Sequence, residues 1–137
     1  MFRFIRYGRR VRTKNDFSKT KTVKYSIPLY ANSSENKGLF GYTNKFRVNE
    51  PCITISARGT IGYTVVRNEP FFPIVRLLVL IPETEKALPK YLEIIFNKID
   101  FSSFGAPIPQ LTVPQISDFR IPLPSINIQQ KIIYEFE

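Results

Sequence analysis

Residues 53–63, Ile-Thr-Ile-Ser-Ala-Arg-Gly-Thr-Ile-Gly-Tyr, set an arginine and a threonine beside two glycines where two alternating apolar runs meet. An arginine fork can bond guanine through two hydrogen bonds, and a hydroxyl can reach a phosphate or a base edge. Arg58 and Thr60 are therefore candidates for contact with a polyanion, since Gly59 and Gly62 let the main chain reverse sharply and come close to a ligand. A second set lies in residues 31–38, where Asn32, Ser33, Ser34, Asn36 and Lys37 supply donors and acceptors on a polar loop that tolerates left-handed backbone. Asparagine and glutamine can bond adenine as arginine bonds guanine, which brings in Gln110; Tyr63 and Lys14 complete the candidates for nucleic-acid contact. Both stretches also have plain readings. The first is a hairpin with a solvated arginine, or one paired with a carboxylate inside the fold, and the second is a surface loop.

Catalytic chemistry is poorly supplied. With no His and one Cys, the chain cannot build a Ser–His or Cys–His pair, and it lacks the ligand clusters of a zinc site. Glu83 and Glu85 lie two apart beside Lys86, an arrangement that reads as solvated charge. No phosphate-cradling Walker pattern is present. Asn68-Glu69-Pro70-Phe71 has a glutamate where the Asn-Pro-Pro-Phe tetrapeptide of adenine methyltransferases has a proline, and no glycine-rich cofactor loop precedes it. No catalytic residues, cofactor or metal are expected.

The charge points toward nucleic acid. The chain holds 20 basic against 11 acidic residues, for a net charge of +9. Residues 1–24 hold nine of the basic residues and only one acid, Asp16, so eight of the nine net charges sit at one end. Attraction to phosphate is the physical consequence of such a segment, although a flexible tail would look the same. A length of 137 residues with 43% hydrophobic and 14% aromatic content suits one domain with a real core. No apolar run is long enough to span a bilayer, no signal-peptide core opens the chain, and the single Cys52 cannot form an internal disulfide. These features fit a reducing, cytoplasmic setting.

The elements that must position these groups follow from periodicity. Ile53 and Ile55 alternate with Thr54 and Ser56, and Ile61, Tyr63 and Val65 alternate after the turn, which predicts a half-buried antiparallel pair. Residues 25–30 predict a short strand whose Pro28 favours an edge. Phe40, Tyr42 and Phe46 mark another strand, and residues 67–70 a turn. Residues 72–81 read as one nearly continuous strand buried on both faces, with Arg76 inside it. Leu88, Tyr91, Leu92, Ile95, Phe96 and Ile99 form the stripe of an amphipathic helix with Pro89 in its first turn. Residues 100–109 predict a long loop. Thr112 and Gln115 have capping-box spacing before a strand at 119–123, and Asn127 and Gln130 repeat it before a second helix. The apolar stripe of that helix, Ile128, Ile132, Ile133 and Phe136, covers barely three turns, so a longer helix is expected to continue it. The basic N-terminal segment reads as irregular or as an edge strand. The fold class is α+β, with a strand-rich, twisted, mostly antiparallel sheet, one packed amphipathic helix and a truncated C-terminal spacer helix.

Taken together, Ile27-Pro-Leu-Tyr-Ala-Asn, Gly41-Tyr-Thr-Asn-Lys, Ile55-Ser-Ala-Arg-Gly-Thr-Ile-Gly, Pro109-Gln-Leu-Thr and Ile121-Pro-Leu-Pro-Ser-Ile-Asn-Ile-Gln-Gln-Lys-Ile resemble the target recognition domain of type I restriction-modification specificity subunits. The resemblance covers about residues 25–137. It implies a noncatalytic domain that reads one half of a bipartite double-stranded DNA target and directs an adenine methyltransferase subunit and a restriction subunit to it. On that reading residues 1–24 are a basic arm, 25–125 the recognition domain and 126–137 the start of a spacer coiled coil. That coiled coil would join a second recognition domain or a homodimer partner. The family's second recognition domain, its second long helix and its usual N-terminal lead-in are not found in these residues. Two other readings of the same inventory are an RNA-binding module, with tyrosines stacking on unpaired bases, and a noncatalytic protein-interaction adaptor.

Overall fold

The computed structural model describes residues 2–6, 17–74, 76–101, 111, 112, 116 and 120–137. They form strands β1 (Phe2–Arg6), β2 (Phe17–Ser18), β3 (Ile27–Tyr30), β4 (Leu39–Thr43), β5 (Cys52–Ile55), β6 (Thr64–Arg67), β7 (Phe72–Pro73) and β8 (Leu78–Pro82), and helices α1 (Pro89–Asn97) and α2 (Ile126–Glu135). The class is α+β as expected, but with two sheets. One has the order β1-β8-β5-β6 and is antiparallel throughout; the other has the order β2-β4-β3-β7, with β3 and β7 parallel.

The β5–β6 hairpin forms where the alternation placed it, pairing Ile53 with Val66 and Ile55 with Thr64. It is not half-buried. All four residues of β5 are buried, because the strand lies between β6 and β8 with apolar clusters on both faces. Ile53 and Ile55 join Leu78, Leu80, Tyr91, Leu92 and Phe96 on the helix side. Cys52, Val79 and Ile81 face Val48 and Phe71 on the other. Each such Ile, Leu or Phe contributes about 1.5–3 kcal/mol by leaving water, so this sheet is the rigid centre of the molecule.

The single strand expected over 72–81 is two strands in different sheets. Leu77 N–H donates to the Ile74 carbonyl at 3.1 Å, and Arg76 takes a left-handed φ of 72°, so the chain turns between them. Arg76 is therefore off the doubly buried strand and partly exposed. Nor is β3 an edge. It runs between β4 and β7, and Pro28 is accommodated because β7 pairs only with Leu29 and Tyr30. The N-terminal segment supplies an edge strand, with β1 pairing against β8 from Phe2↔Pro82 to Arg6↔Leu78.

Helix α1 starts at Pro89 as the stripe predicts, buries Tyr91, Leu92 and Phe96, and packs on β5 and β6. Its polar side also shields the open edge of β6. Asn97 accepts from Thr64 N–H and donates to Thr64 C=O, both at 2.9 Å, while Glu93 accepts from Val66 N–H at 2.8 Å. These side chains satisfy the groups a further strand would otherwise pair.

The strand expected at 119–123 does not form over its described part. Residues 120–123 lack ladder pairing, since Pro122 and Pro124 have no N–H to donate, and the Pro122 carbonyl instead accepts from the Tyr91 hydroxyl at 2.6 Å. Ile116 N–H donates to Thr112 C=O at 3.1 Å, in keeping with a helical turn there. Gln115, Phe119 and most of the 100–109 loop lie outside the described residues. Helix α2 begins earlier than the Asn127–Gln130 spacing suggested, with Ser125 as its cap accepting from Ile128 N–H at 3.5 Å.

Candidate nucleic-acid interface

Between β5 and β6 the chain closes with Ser56 N–H donating to Tyr63 C=O and Gly62 N–H to Ser56 C=O, both at 2.9 Å. Arg58, Gly59 and Thr60 form its exposed tip. Gly59 needs its left-handed φ of 65°, and a Cβ there would meet the Asn32 carbonyl only at an ordinary contact distance of 3.7 Å. Gly62 was expected to open the backbone to a ligand in the same way, and it does not. It is buried with φ 90°, and a Cβ there would lie 2.4 Å from the Phe101 ring, so its missing side chain serves core packing. Arg58 is exposed, with no carboxylate in ion-pair contact among the described residues, which removes the reading of an arginine paired inside the fold.

Residues 31–38 form a closed loop, Ala31 N–H donating to Gly38 C=O at 2.8 Å. Asn36, Lys37 and Gly38 have φ of 48°, 54° and 82°, a left-handed turn three residues long. The polar composition predicted such a conformation. It costs about 1–2 kcal/mol at each residue bearing a Cβ, so the turn needs support from outside itself.

That support comes from Arg67, which the sequence reading left in a turn. Arg67 is the last residue of β6 and is 6% exposed. Its Nε donates to Thr54 Oγ1 at 3.0 Å, its Nη2 donates to the Lys37 carbonyl at 2.5 Å, and its guanidinium carbon lies 3.5 Å from the Tyr30 ring centroid. Burial draws the Arg67 pKa down, and Tyr30 opposes that shift. The available signal was the alternation itself, which puts residue 67 on the same face as the buried Val65.

The two candidate segments meet. Asn32 Oδ1 accepts from Ala57 N–H at 2.8 Å, and the Ser34 and Thr60 hydroxyls lie 3.4 Å apart. Leu111 N–H donates to the Ala57 carbonyl at 2.8 Å, so Leu111 meets the same turn. Asn32 thus serves as a brace, Ser33 turns its hydroxyl to Glu35 N–H at 3.0 Å, and Tyr63 sits partly buried at the base. Arg58, Thr60, Ser34, Asn36 and Lys37 are exposed, with Glu35 the acid among them. Gln110 and Lys14 lie outside the described residues. No group of three or more metal-ligating side chains occurs among the described residues, and none of their helices is long and apolar enough to cross a membrane.

Two Mycoplasma pneumoniae proteins assigned as type I specificity subunits are 37% and 35% identical to this chain over 117 and 118 residues, or 85% and 86% of it. The chain spans about a third of their lengths, 35% and 32%. In fold it is similar to the S subunit of a type I restriction-modification system from M. genitalium (TM-score 0.75, 16% identity, 98% of this chain and 36% of that one). It is also similar to the HsdS subunit from Thermoanaerobacter tengcongensis (TM-score 0.67, 16% identity, 98% and 36%). A family model, the type I restriction modification DNA specificity domain, matches residues 5–136, nearly the whole chain and including β6 with its buried Arg67. This chain belongs to the type I restriction modification DNA specificity domain family.

Proposed function

We propose that this chain reads one half of a split target in double-stranded DNA through the surface where residues 31–38 meet the 58–60 tip. Arg58 and Thr60 approach base edges or phosphates, and Asn36, Lys37 and Ser34 flank them from the loop. The observation that carries this reading is the pair of contacts Asn32–Ala57 and Ser34–Thr60, which hold two polar, solvent-facing segments from distant parts of the sequence as one surface. Loops fixed on a buried sheet are suited to readout, because hydrogen-bond discrimination between bases depends on donor placement within tenths of an ångström. The role is noncatalytic. The chain would direct an adenine methyltransferase subunit and a restriction subunit to the site, in the cytoplasm, with α2 offered to a second recognition domain or a second copy.

The basic N-terminal segment would add affinity for phosphate without choosing sequence. Selection of duplexes from a randomised library, followed by titration of the selected and random duplexes, tests the reading. A reproducible selected sequence bound more tightly than random duplex is expected. Equal binding to all duplexes, or preference for single strands or structured RNA, would overturn it.

A further inference from the structure

We propose that Arg67 is a positioning residue: it holds the left-handed turn at residues 36–38 and so sets which base edges the 31–38 loop can reach. The inference rests on the reading of that loop as DNA-facing.

Three observations carry it. A buried arginine ordinarily faces a carboxylate, yet Arg67 donates to the Thr54 hydroxyl and the Lys37 backbone carbonyl and sets its guanidinium over the Tyr30 ring. Such a set puts a ring face and two oxygen acceptors in the place of a carboxylate, and it depends on the fixed two-point fork. Its two ends differ in rigidity. Thr54 belongs to the doubly buried β5 at the centre of the sheet, whereas Lys37 sits on an exposed turn whose conformation is unfavourable on its own. Arg67 is therefore a strut from the sheet to the loop. It draws the Lys37 carbonyl inward and leaves the Lys37 side chain exposed.

Gly38 completes the seat. A Cβ there would stand 2.9 Å from the Ala31 carbonyl and 3.4 Å from Arg67 Nη2, so the turn is closed from both sides. A loop held in its binding shape before DNA arrives loses less conformational freedom on binding.

The test compares this chain with Arg67→Lys, Thr54→Val and Arg58→Ala, by titration of the selected and random duplexes and by amide exchange over residues 33–39. Arg67→Lys keeps the charge and loses the fork. It should lower the selected-to-random affinity ratio by about tenfold, leave random-duplex affinity unchanged, and speed exchange in the loop while β5 and β8 stay protected. Thr54→Val, which frees the other end of the strut, should move the ratio and the loop exchange the same way to a smaller extent. A folded Arg67→Lys with unchanged ratio and unchanged loop exchange would overturn the proposal, as would equal loss on both duplexes. Should Arg67→Lys fail to fold, Thr54→Val decides: a lowered ratio supports the strut and an unchanged one removes it. If Arg58→Ala abolishes the preference while Arg67→Lys does not, DNA reading stands and the positioning role falls. If the unmodified chain shows no preference, DNA reading falls and loop exchange alone judges the strut.

Discussion

Asn32 Oδ1 accepts a hydrogen bond from the Ala57 amide at 2.8 Å, joining residues 25 positions apart and tying the 31–38 loop to the hairpin tip. Ala57 is fully buried, so no water stands ready to replace that acceptor. The same residue's carbonyl accepts from Leu111, which makes Ala57 the junction of three chain segments.

Replacing Asn32 with Ala should therefore destabilise the fold by about 1–3 kcal/mol, the cost of leaving a buried amide unsatisfied. Asn32→Asp keeps an acceptor and should lose less. Chemical denaturation of the two variants beside the unmodified chain measures the difference, and equal stability of all three would show that the bond contributes nothing.

The two glycines of the hairpin should separate sharply. Gly62→Ala drives a methyl into the Phe101 ring at a φ of 90°, and a loss of about 2 kcal/mol or more is expected from overpacking plus backbone strain. Gly59→Ala meets only an ordinary 3.7 Å contact with the Asn32 carbonyl and should cost about 1 kcal/mol, from its φ of 65°. Thermal melts of both, with Gly62→Ala combined with Phe101→Leu as a partial rescue, check the assignment.

Burial pushes the Cys52 thiol up to about 12, with Arg67 pulling it down and Glu50 adding to the rise. In the folded chain the thiol should resist alkylation near pH 8. Because the folded value lies above the ordinary value of 9.0, the stabilising contribution is complete below pH 9 and is lost as pH rises toward 12. The stability difference between the unmodified chain and Cys52→Ala should shrink steadily above pH 9. A difference that does not change with pH would contradict the assignment.

Gln129 should prove to be the anchor of α2. Its Nε2 donates to the Lys86 and Pro124 carbonyls at 2.8 and 2.9 Å, and its Oε1 accepts from Leu88 N–H at 2.9 Å, with the residue fully buried. Gln129→Leu leaves all three partners unsatisfied and should cost at least about 2 kcal/mol. Faster amide exchange in α2, with β5 and β8 still protected, would locate the loss.

Much of the frame was legible because it follows from periodicity. The β5–β6 hairpin and α1 stand where alternation and the 3.6-residue stripe put them, and Asn36 and Gly38 signalled the left-handed turn. The break between β7 and β8 was hidden, because residues 72–81 are apolar on both sides of a turn in which Arg76 takes a left-handed φ. Arg67 and Gln129 were missed for a different reason. The contacts that define their roles reach distant backbone groups, the Lys37 carbonyl 30 residues from Arg67 and the Lys86 carbonyl and Leu88 amide more than 40 from Gln129, and every residue has such groups. The 31–38 loop and the 58–60 tip could each be picked out by composition, yet their junction through Asn32 and Ala57 depended on packing that no local pattern encodes.

The most direct measurement is the affinity of Arg58→Ala for the selected duplex and for random duplex, taken with its melting temperature. Arg58 is exposed and outside any ion pair among the described residues, so the variant should melt like the unmodified chain. A loss of about 1–3 kcal/mol on the selected duplex with little change on random duplex is the expected result. Unchanged affinity for the selected duplex in a variant that remains folded would contradict the placement of the DNA-reading surface at the hairpin tip.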